Sequence, residues 1–130
     1  FNLVISDTFG ENDNRMKLVN LLRLNFKNNK PTIIISKKLI LNLLNVLDIL
    51  GAVNLILQKK INPDTYVLKN TVDYSILDII NKINRGSLKK IKVKWTSNKI
   101  LKERIYNYKQ IKNWRPNNSR IQDIVDLIKE

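Results

Sequence analysis

The sequence predicts an α+β fold, built as one domain or two small lobes. The chain has 130 residues, of which 43% are hydrophobic, and this is enough to bury a real core. Stretches with apolar residues at helical spacing alternate with short β-branched runs such as Thr32–Ile35. Within residues 90–95, lysines alternate with Ile91, Val93 and Trp95, as in a strand with one buried face. Helices and short strands are therefore both expected.

The first half of the chain predicts two helix–strand pairs. Apolar side chains repeat at helical spacing in two stretches, and each stretch follows a capping residue and precedes a short apolar run. The predicted elements are a helix over 15–26 capped by Asp13 or Asn14, a strand over 32–35, a helix over 37–50 that Ser36 caps and Gly51 ends, and a strand over 52–57.

The second half predicts a helix, a β-hairpin and a final helix. An isoleucine stripe over 71–84 indicates a helix capped by Thr71 or Asp73. The alternating strand over 88–95 is followed by the turn 96–98 and a return strand over 99–108, which together indicate a hairpin. Ser119 can cap a last helix over 121–129, although its apolar spacing would also tolerate a strand.

Charge is distributed unevenly along the chain. The formal net charge is +13, and residues 82–120 hold 13 Lys or Arg against the single acid Glu103, whereas residues 1–81 hold 10 against 7. Such a basic block points to a polyanionic partner, with RNA, DNA and an anionic membrane surface as the candidates.

Composition excludes several kinds of chemistry. The chain has no Cys and no His, so disulfides, thiolate nucleophiles and histidine acid–base catalysis are excluded, and no metal or other cofactor is expected. The longest apolar segment, 39–57, is interrupted by polar residues, so no membrane span is predicted. Asn and Ile each occur 19 times, a bias typical of AT-rich organellar genes.

The residue types of the basic half suit nucleic-acid contacts. Lysine and arginine bind phosphates, Asn amides bind base edges and ribose, and exposed aromatics stack on bases. Trp95 is expected in the core, whereas Trp114 could stack or pack. Ser36 could bind a phosphate or act as a plain helix cap. The candidate RNA-binding residues are Arg23, Lys27, Ser36, Lys37, Lys90, Lys92, Lys94, Lys99, Lys102, Arg104, Lys109, Lys112, Trp114, Arg115, Asn117, Asn118, Ser119 and Arg120.

Short motifs in a fixed order resemble a ribosomal protein family. The segments 18–23, 34–37 and 50–53, followed by 91–95, 109–114 and Ser119-Arg120, are similar in order and spacing to the eighth protein of the small ribosomal subunit, in its mitochondrial form. The resemblance implies an N-terminal α-β-α-β lobe and a C-terminal basic lobe that contains the hairpin. The implied segments are an extension over 1–14, the first lobe over 15–57, an insertion with a helix over 58–87 and the basic lobe over 88–130.

The resemblance also implies a function without catalysis. A structural protein of the mitochondrial small ribosomal subunit would bind small-subunit ribosomal RNA and neighbouring ribosomal proteins, and would have no small-molecule substrate. Two alternatives stay open. Leu47–Gly51 is the nearest approach to the metal-binding acid motif of an intron-encoded endonuclease, with Asp48 as the acid. The chain could also be a lineage-specific interaction protein of a large ribonucleoprotein.

Overall fold

The computed structural model describes residues 1–58 and 61–130 and has an α+β fold. The predicted fold class is therefore confirmed. Four helices and nine short strands lie within these residues. In chain order they are β1 (Asn2–Ile5), β2 (Asp7–Phe9), α1 (Leu18–Lys27), β3 (Thr32–Ile34), β4 (Lys38–Leu41), β5 (Leu43–Asn45), α2 (Val46–Gln58), β6 (Thr65–Leu68), β7 (Tyr74–Ser75), α3 (Ile76–Asn84), β8 (Val93–Trp95), β9 (Ile100–Lys102) and α4 (Ile121–Lys129).

Four of the five strand pairs are parallel. β1 pairs with β6, β2 with β5, β3 with β8 and β4 with β9, whereas β4 and β7 are antiparallel. Between the last two parallel pairs, Thr96 N–H donates to the Ile34 carbonyl at 3.1 Å and Lys37 N–H donates to the Ser97 carbonyl at 3.0 Å. Residues 32–41 and 93–102 therefore run side by side as one parallel ribbon.

The hairpin predicted over 88–108 is wrong. β8 and β9 do not pair with each other, because each is bonded in parallel to a strand about 60 residues earlier. Alternation of Lys with apolar residues identifies a half-buried strand but does not identify its partner. Residues 96–98 lie alongside the segment that connects β3 to β4.

The helix predicted over 37–50 and the strand predicted over 52–57 are also wrong. Residues 38–45 form β4 and β5, and the helix α2 begins only at Val46. A continuous apolar run fits either a buried strand or a helix, and parallel strands often read this way. The Asn45 side-chain oxygen accepts the Leu47 N–H at 2.9 Å at the start of α2, which lies nine residues later than predicted.

The other helices are confirmed, with different caps. α4 has its predicted bounds, and α1 and α3 lie within five residues of theirs. Ser75 caps α3 by accepting the Asp78 N–H, which replaces the predicted caps Thr71 and Asp73. Arg120, not Ser119, precedes α4, and its N–H donates to Asp123 at 2.9 Å.

Two apolar clusters form the core. The larger one joins the inner faces of α1, α3 and α4, where Leu22, Ile83 and Ile128 are fully buried. The smaller one lies between α2 and the β1–β6 pair, with Ala52 and Leu68 at its centre. No helix in the described residues has the length and apolarity that a membrane crossing requires.

Candidate functional site

Charged side chains converge where β4 and β9 end. These two parallel strands finish at Leu41 and Lys102, and the residues that follow meet, because Asn42 N–H donates to Glu103 Oε2 at 3.2 Å. In open parallel sheets, ligands bind beyond the carboxyl ends of the strands. This end of the ribbon is therefore a candidate ligand-binding site.

Residues from three other segments complete the group. Lys17, just before α1, places its ammonium 2.5 Å from the carboxylate of Asp7 at the start of β2. Asp73 accepts the Asn42 amide at 2.9 Å and pairs with Lys102 at 3.3 Å. We refer to this group as the Glu103 cluster, which consists of Asp7, Lys17, Asn42, Asp73, Lys102 and Glu103.

The environment shifts two carboxyl groups of the Glu103 cluster in opposite directions. Partial burial raises the pKa of Glu103, and the nearby carboxylates of Asp7 and Asp73 act in the same direction, against the Asn42 N–H and Lys17. The Asn42 amide and Lys102 lower the pKa of Asp73. The cluster thus offers carboxylate acceptors for hydroxyl groups and two ammonium groups for an anion, with one carboxyl that holds its proton to higher pH than usual.

A cleft of about 670 Å³ lies at the opposite end of β2 and β5. Phe9, Val46 and Leu50 form part of its apolar wall, and five acids against one arginine surround it. That arginine, Arg15, already binds Asp13, and its guanidinium lowers the Asp13 pKa to about 2. Arg23 and Arg120 also pair with two of the acids, Glu130 and Asp123, so the cleft stays acidic with a smaller excess than its lining residues alone give. The acids are Glu11, Asp13, Asp123, Asp126 and Glu130.

Asp48 organises the loop before α4. Its side chain is only 4% exposed and accepts the N–H groups of Asn117 and Asn118 at 2.8–3.1 Å, together with the Asn118 amide and the Ser119 hydroxyl. The Trp114 indole N–H donates to the Asp48 carbonyl at 3.1 Å. The polar groups predicted to face RNA in this loop are thus used to hold it against α2.

The lysines of the predicted basic strand reach the ends of helices. Lys90 donates to the Asn84 carbonyl at 2.7 Å, at the end of α3. Lys92 donates to the Asn29 carbonyl at 3.4 Å, just after α1. Cations are favoured at helix C-termini, where carbonyl groups lack partners within the helix. Lys94 and Lys99 are exposed.

The remaining predicted residues are dispersed. Arg23 pairs with Glu130 at 3.2 Å, and Lys109 pairs with Asp64 at 2.5 Å. Ser36 is buried in the β3–β4 connection, where its hydroxyl donates to the Lys99 carbonyl and accepts the Lys38 N–H. The others are exposed, except Trp114, which packs on the smaller cluster; they are Lys27, Lys37, Arg104, Lys112, Arg115 and Arg120.

Only Lys102 of the predicted residues belongs to the Glu103 cluster. Asp7, Lys17 and Asn42 come from segments that carry no sequence motif, and the pairing of strands brings them together. Glu103 itself had a signal, because it is the single acid in the basic block 82–120. Asp48 also had a sequence signal, because it is a lone carboxylate within an apolar run.

The fold matches part of several solved enzymes. No protein-family model matches the sequence, and neither does any curated protein. UDP-glucuronic acid 4-epimerase from Bacillus cereus, in complex with NAD, matches 98% of this chain and 42% of its own, with a TM-score of 0.75 and 17% identity. dTDP-glucose 4,6-dehydratase from Bacillus anthracis, in complex with NAD, matches 96% and 43%, with a TM-score of 0.68 and 15% identity. UDP-glucose 4-epimerase from Thermotoga maritima, with UDP-glucose, matches 98% and 44%, with a TM-score of 0.71 and 13% identity.

The chain shares its fold with less than half of each of these enzymes. The predicted membership of the ribosomal protein family is therefore wrong, since the matched folds are those of sugar-nucleotide epimerases and dehydratases. The predicted function in a ribosomal subunit is wrong for the same reason, and so are its partners, ribosomal RNA and neighbouring ribosomal proteins. The expectation of a non-enzymatic protein without a small-molecule substrate is also contradicted. The ligand roles of individual predicted residues stay predictions.

The two alternatives gain no support either. An endonuclease would use Asp48 to bind a metal ion, but this carboxylate is buried and bonded to the loop before α4. In residues 1–58 and 61–130, no group of three acidic side chains is placed to hold a metal ion. The matched structures are enzymes, so they give no support to a ribonucleoprotein interaction protein.

Proposed function

We propose that this chain forms the sugar-nucleotide-binding part of an epimerase- or dehydratase-type enzyme. The observation that carries the proposal is the fold, because nearly the whole chain matches enzymes whose structures contain UDP-glucose or UDP-glucuronic acid. Because the sequence identities to these enzymes are low, the proposed site rests on this chain's own residues. The chain spans less than half of the length of those enzymes. Any enzymatic activity of the whole protein is therefore also a proposal.

NAD does not fit the residues of this chain. A dinucleotide-binding unit carries a Gly-x-Gly-x-x-Gly turn between a strand and a helix, so that the backbone can approach the pyrophosphate. The three glycines here, Gly10, Gly51 and Gly86, cannot form that turn. Where β5 leads directly into α2, the Asp48 carboxylate lies in the first helical turn and would repel a phosphate. We therefore assign NAD to no site in this chain.

The Glu103 cluster has the chemistry that a sugar nucleotide requires. Lys17 and Lys102 can place ammonium groups beside a diphosphate, and both are partly exposed. The carboxylates of Asp7, Asp73 and Glu103 can accept hydrogen bonds from sugar hydroxyls. The cleft at the other end of β2 is less suitable for a diphosphate, because five acids line it and only three of them pair with arginines.

Calorimetric titration with UDP-glucose tests this assignment. Replacing Lys17 or Lys102 with Gln removes one charge-assisted contact, and we expect each change to weaken binding about 10- to 100-fold, since such contacts contribute about 1.5–3 kcal/mol. Lys109→Gln is the matched control, because its lysine pairs with Asp64 outside the cluster. Binding that is undetectable at millimolar UDP-glucose, or that is equal in all variants, would rule the proposal out.

Two expectations from the sequence stay predictions. The division into two lobes and the four segments ending at residues 14, 57, 87 and 130 is one of them, although strand pairs join residues across it. Residues 59 and 60 of the predicted insertion lie outside the described residues. Mitochondrial localisation is the other; it was inferred from codon bias and from the resemblance to a mitochondrial family.

A further inference from the structure

Basic side chains gather at the end of the molecule where α1 and α3 both finish. The loop over 85–92 lies against the turn that follows α1, because Thr32 N–H donates to the Lys92 carbonyl at 3.0 Å. The Lys89 ammonium also donates to the Lys27 carbonyl, at 3.4 Å. We refer to the exposed residues at this end as the basic tip, which consists of Lys27, Lys30, Arg85, Leu88, Lys89, Lys90 and Lys92.

The basic tip carries six cations and no acid. Its residues come from two stretches, 14–47 and 79–102, and neither stretch contains an Asp or a Glu. In the part of the chain that the structure describes, none of the six cations pairs with a carboxylate. The C-terminal ends of α1 and α3 offset this charge only by about half an elementary charge each. The tip therefore keeps a positive excess that favours an anionic partner.

One apolar side chain projects from the middle of the basic tip. Leu88 is fully exposed, and it is the most exposed of the large apolar side chains that the structure describes. Gly86 has a φ of 62°, which glycine adopts without strain, and it turns the chain from α3 into this loop. On the adjoining outer face of β3, Ile33 is 66% exposed and lies opposite Lys94. Apolar side chains and lysines are thus interleaved at this end of the molecule.

The exposed leucine distinguishes between the possible anionic partners. A nucleic acid offers phosphates to lysines and bases to exposed aromatic rings, but the residues of the basic tip include no aromatic side chain. An anionic membrane offers negatively charged headgroups to lysines, and hydrocarbon just below them to an apolar side chain. A leucine that projects between cations therefore fits a membrane surface better than a nucleic acid.

We propose that the basic tip binds the surface of an anionic membrane, with Leu88 inserted below the lipid headgroups. The cations supply long-range attraction to the charged leaflet, and the leucine adds a short-range contact with hydrocarbon. The inference goes beyond the proposed function and does not depend on it. The tip lies where the ribbon of residues 32–41 and 93–102 begins, whereas the Glu103 cluster lies where the same ribbon ends. A membrane bound at the tip would leave that cluster open to a substrate.

Co-sedimentation of the purified 130-residue chain with lipid vesicles tests the proposal. We expect binding to phosphatidylcholine vesicles that contain about 30% phosphatidylserine, because each cation near an anionic surface strengthens binding roughly fivefold. Vesicles of phosphatidylcholine alone should bind the chain at least ~100-fold more weakly. Added salt should weaken binding to the anionic vesicles steeply. No binding to the anionic vesicles at low salt would overturn the proposal.

Variants of the tip separate attraction by charge from insertion of the leucine. The double variant Lys89→Glu and Lys90→Glu should weaken binding to the anionic vesicles at least ~100-fold. Lys112→Glu with Arg115→Glu is the matched control, because it changes the net charge equally at exposed residues outside the tip, and its loss should stay below ~10-fold. Leu88→Ala should weaken binding at least ~10-fold, because three carbon atoms lose their contact with hydrocarbon. Equal losses in the two double variants would contradict the proposal.

A second charge reversal keeps the test valid if the first one unfolds the chain. Lys30→Glu with Arg85→Glu leaves the bonds of Lys89 and Lys90 to helix-end carbonyls in place, and it should weaken vesicle binding as strongly. Far-ultraviolet circular dichroism checks that each variant is folded.

Nucleic acid is the competing partner, and Leu88→Ala identifies it. We expect this variant to lose vesicle binding while its binding to a short single-stranded RNA, if any, stays unchanged. Vesicle binding that depends on the cations of the tip but is unchanged in Leu88→Ala would show attraction by charge without insertion, as a nucleic acid would equally satisfy, and would overturn the proposal.

Discussion

Asp48 holds the loop before α4 in place, a role that its position inside an apolar run does not suggest. A carboxylate inside an apolar run would ordinarily be excluded from the core, because burial of an unpaired charge is costly. Here four donors from residues 117–119 surround it, and its own backbone carbonyl accepts the Trp114 indole N–H. Hydrogen bonds from the loop before α4 therefore stabilise the buried carboxylate, and the same hydrogen bonds hold the loop against α2.

Removing this carboxylate should destabilise the whole chain. We expect Asp48→Ala to lower the free energy of unfolding by about 3–5 kcal/mol, because buried N–H and hydroxyl donors lose their acceptor. Asp48→Asn keeps the shape and should lose less. Urea denaturation followed by far-ultraviolet circular dichroism measures both. Asp78→Ala, at an exposed acid on α3, is the control, and a loss below about 1 kcal/mol for Asp48→Ala would disprove the role.

Glu103 should make stability depend on pH. Its pKa in the folded chain is raised above the ordinary 4.5, so the folded state holds this proton more tightly than the unfolded state does. The group therefore lowers stability above its raised pKa, and this loss disappears as the pH falls towards 4.5. Glu103→Gln should stabilise the chain near pH 8 and lose that advantage near pH 4.5.

Urea titrations at several pH values measure that difference. The matched control is Glu11→Gln, since Glu11 is an exposed acid outside the Glu103 cluster. A stability difference between Glu103→Gln and wild type that stays constant from pH 4.5 to pH 8 would contradict the assignment.

At the scale of elements, amphipathic helices could be predicted and strand partners could not. α1, α3 and α4 each have one apolar stripe that packs into the same core, so periodicity alone located them. β4 has paired strands along both edges and β5 is largely buried, and their apolar run has no distinctive period. The lysines at 90, 92 and 94 were recognised as the polar face of a strand, but the bonds of Lys90 and Lys92 to helix-end carbonyls depend on how α3 and α1 end nearby.

Those bonds predict a difference between two neighbouring lysines. Lys90→Gln should lower stability by about 0.5 kcal/mol, because it removes a cation from the end of α3. Lys94→Gln should change it little, since within the described residues the side chain of this exposed lysine makes no hydrogen bond. Thermal denaturation at low salt compares the two, and equal effects would argue against helix capping.

At the scale of the whole molecule, net charge misdirected the functional prediction. A charge of +13 describes solubility and long-range attraction, but it does not specify a fold. Several of the basic side chains pair with acids or with helix carbonyls. The Glu103 cluster draws on five separate segments, so no linear motif could have revealed it. The Glu103 cluster could be located only after the strands had been paired.

The parallel pairing has a consequence for how the chain folds. The paired residues nearest in sequence, Leu41 and Tyr74, are 33 positions apart, and β1, β3 and β4 all await partners more than 60 positions later. The β2–β5 ladder can form once residue 45 is available and the β1–β6 ladder once residue 68 is, whereas the β3–β8 and β4–β9 ladders need the chain up to residues 95 and 102. Pairing over such long sequence separations places folding in the millisecond-to-second range, and the ribbon of residues 32–41 and 93–102 is expected to close last.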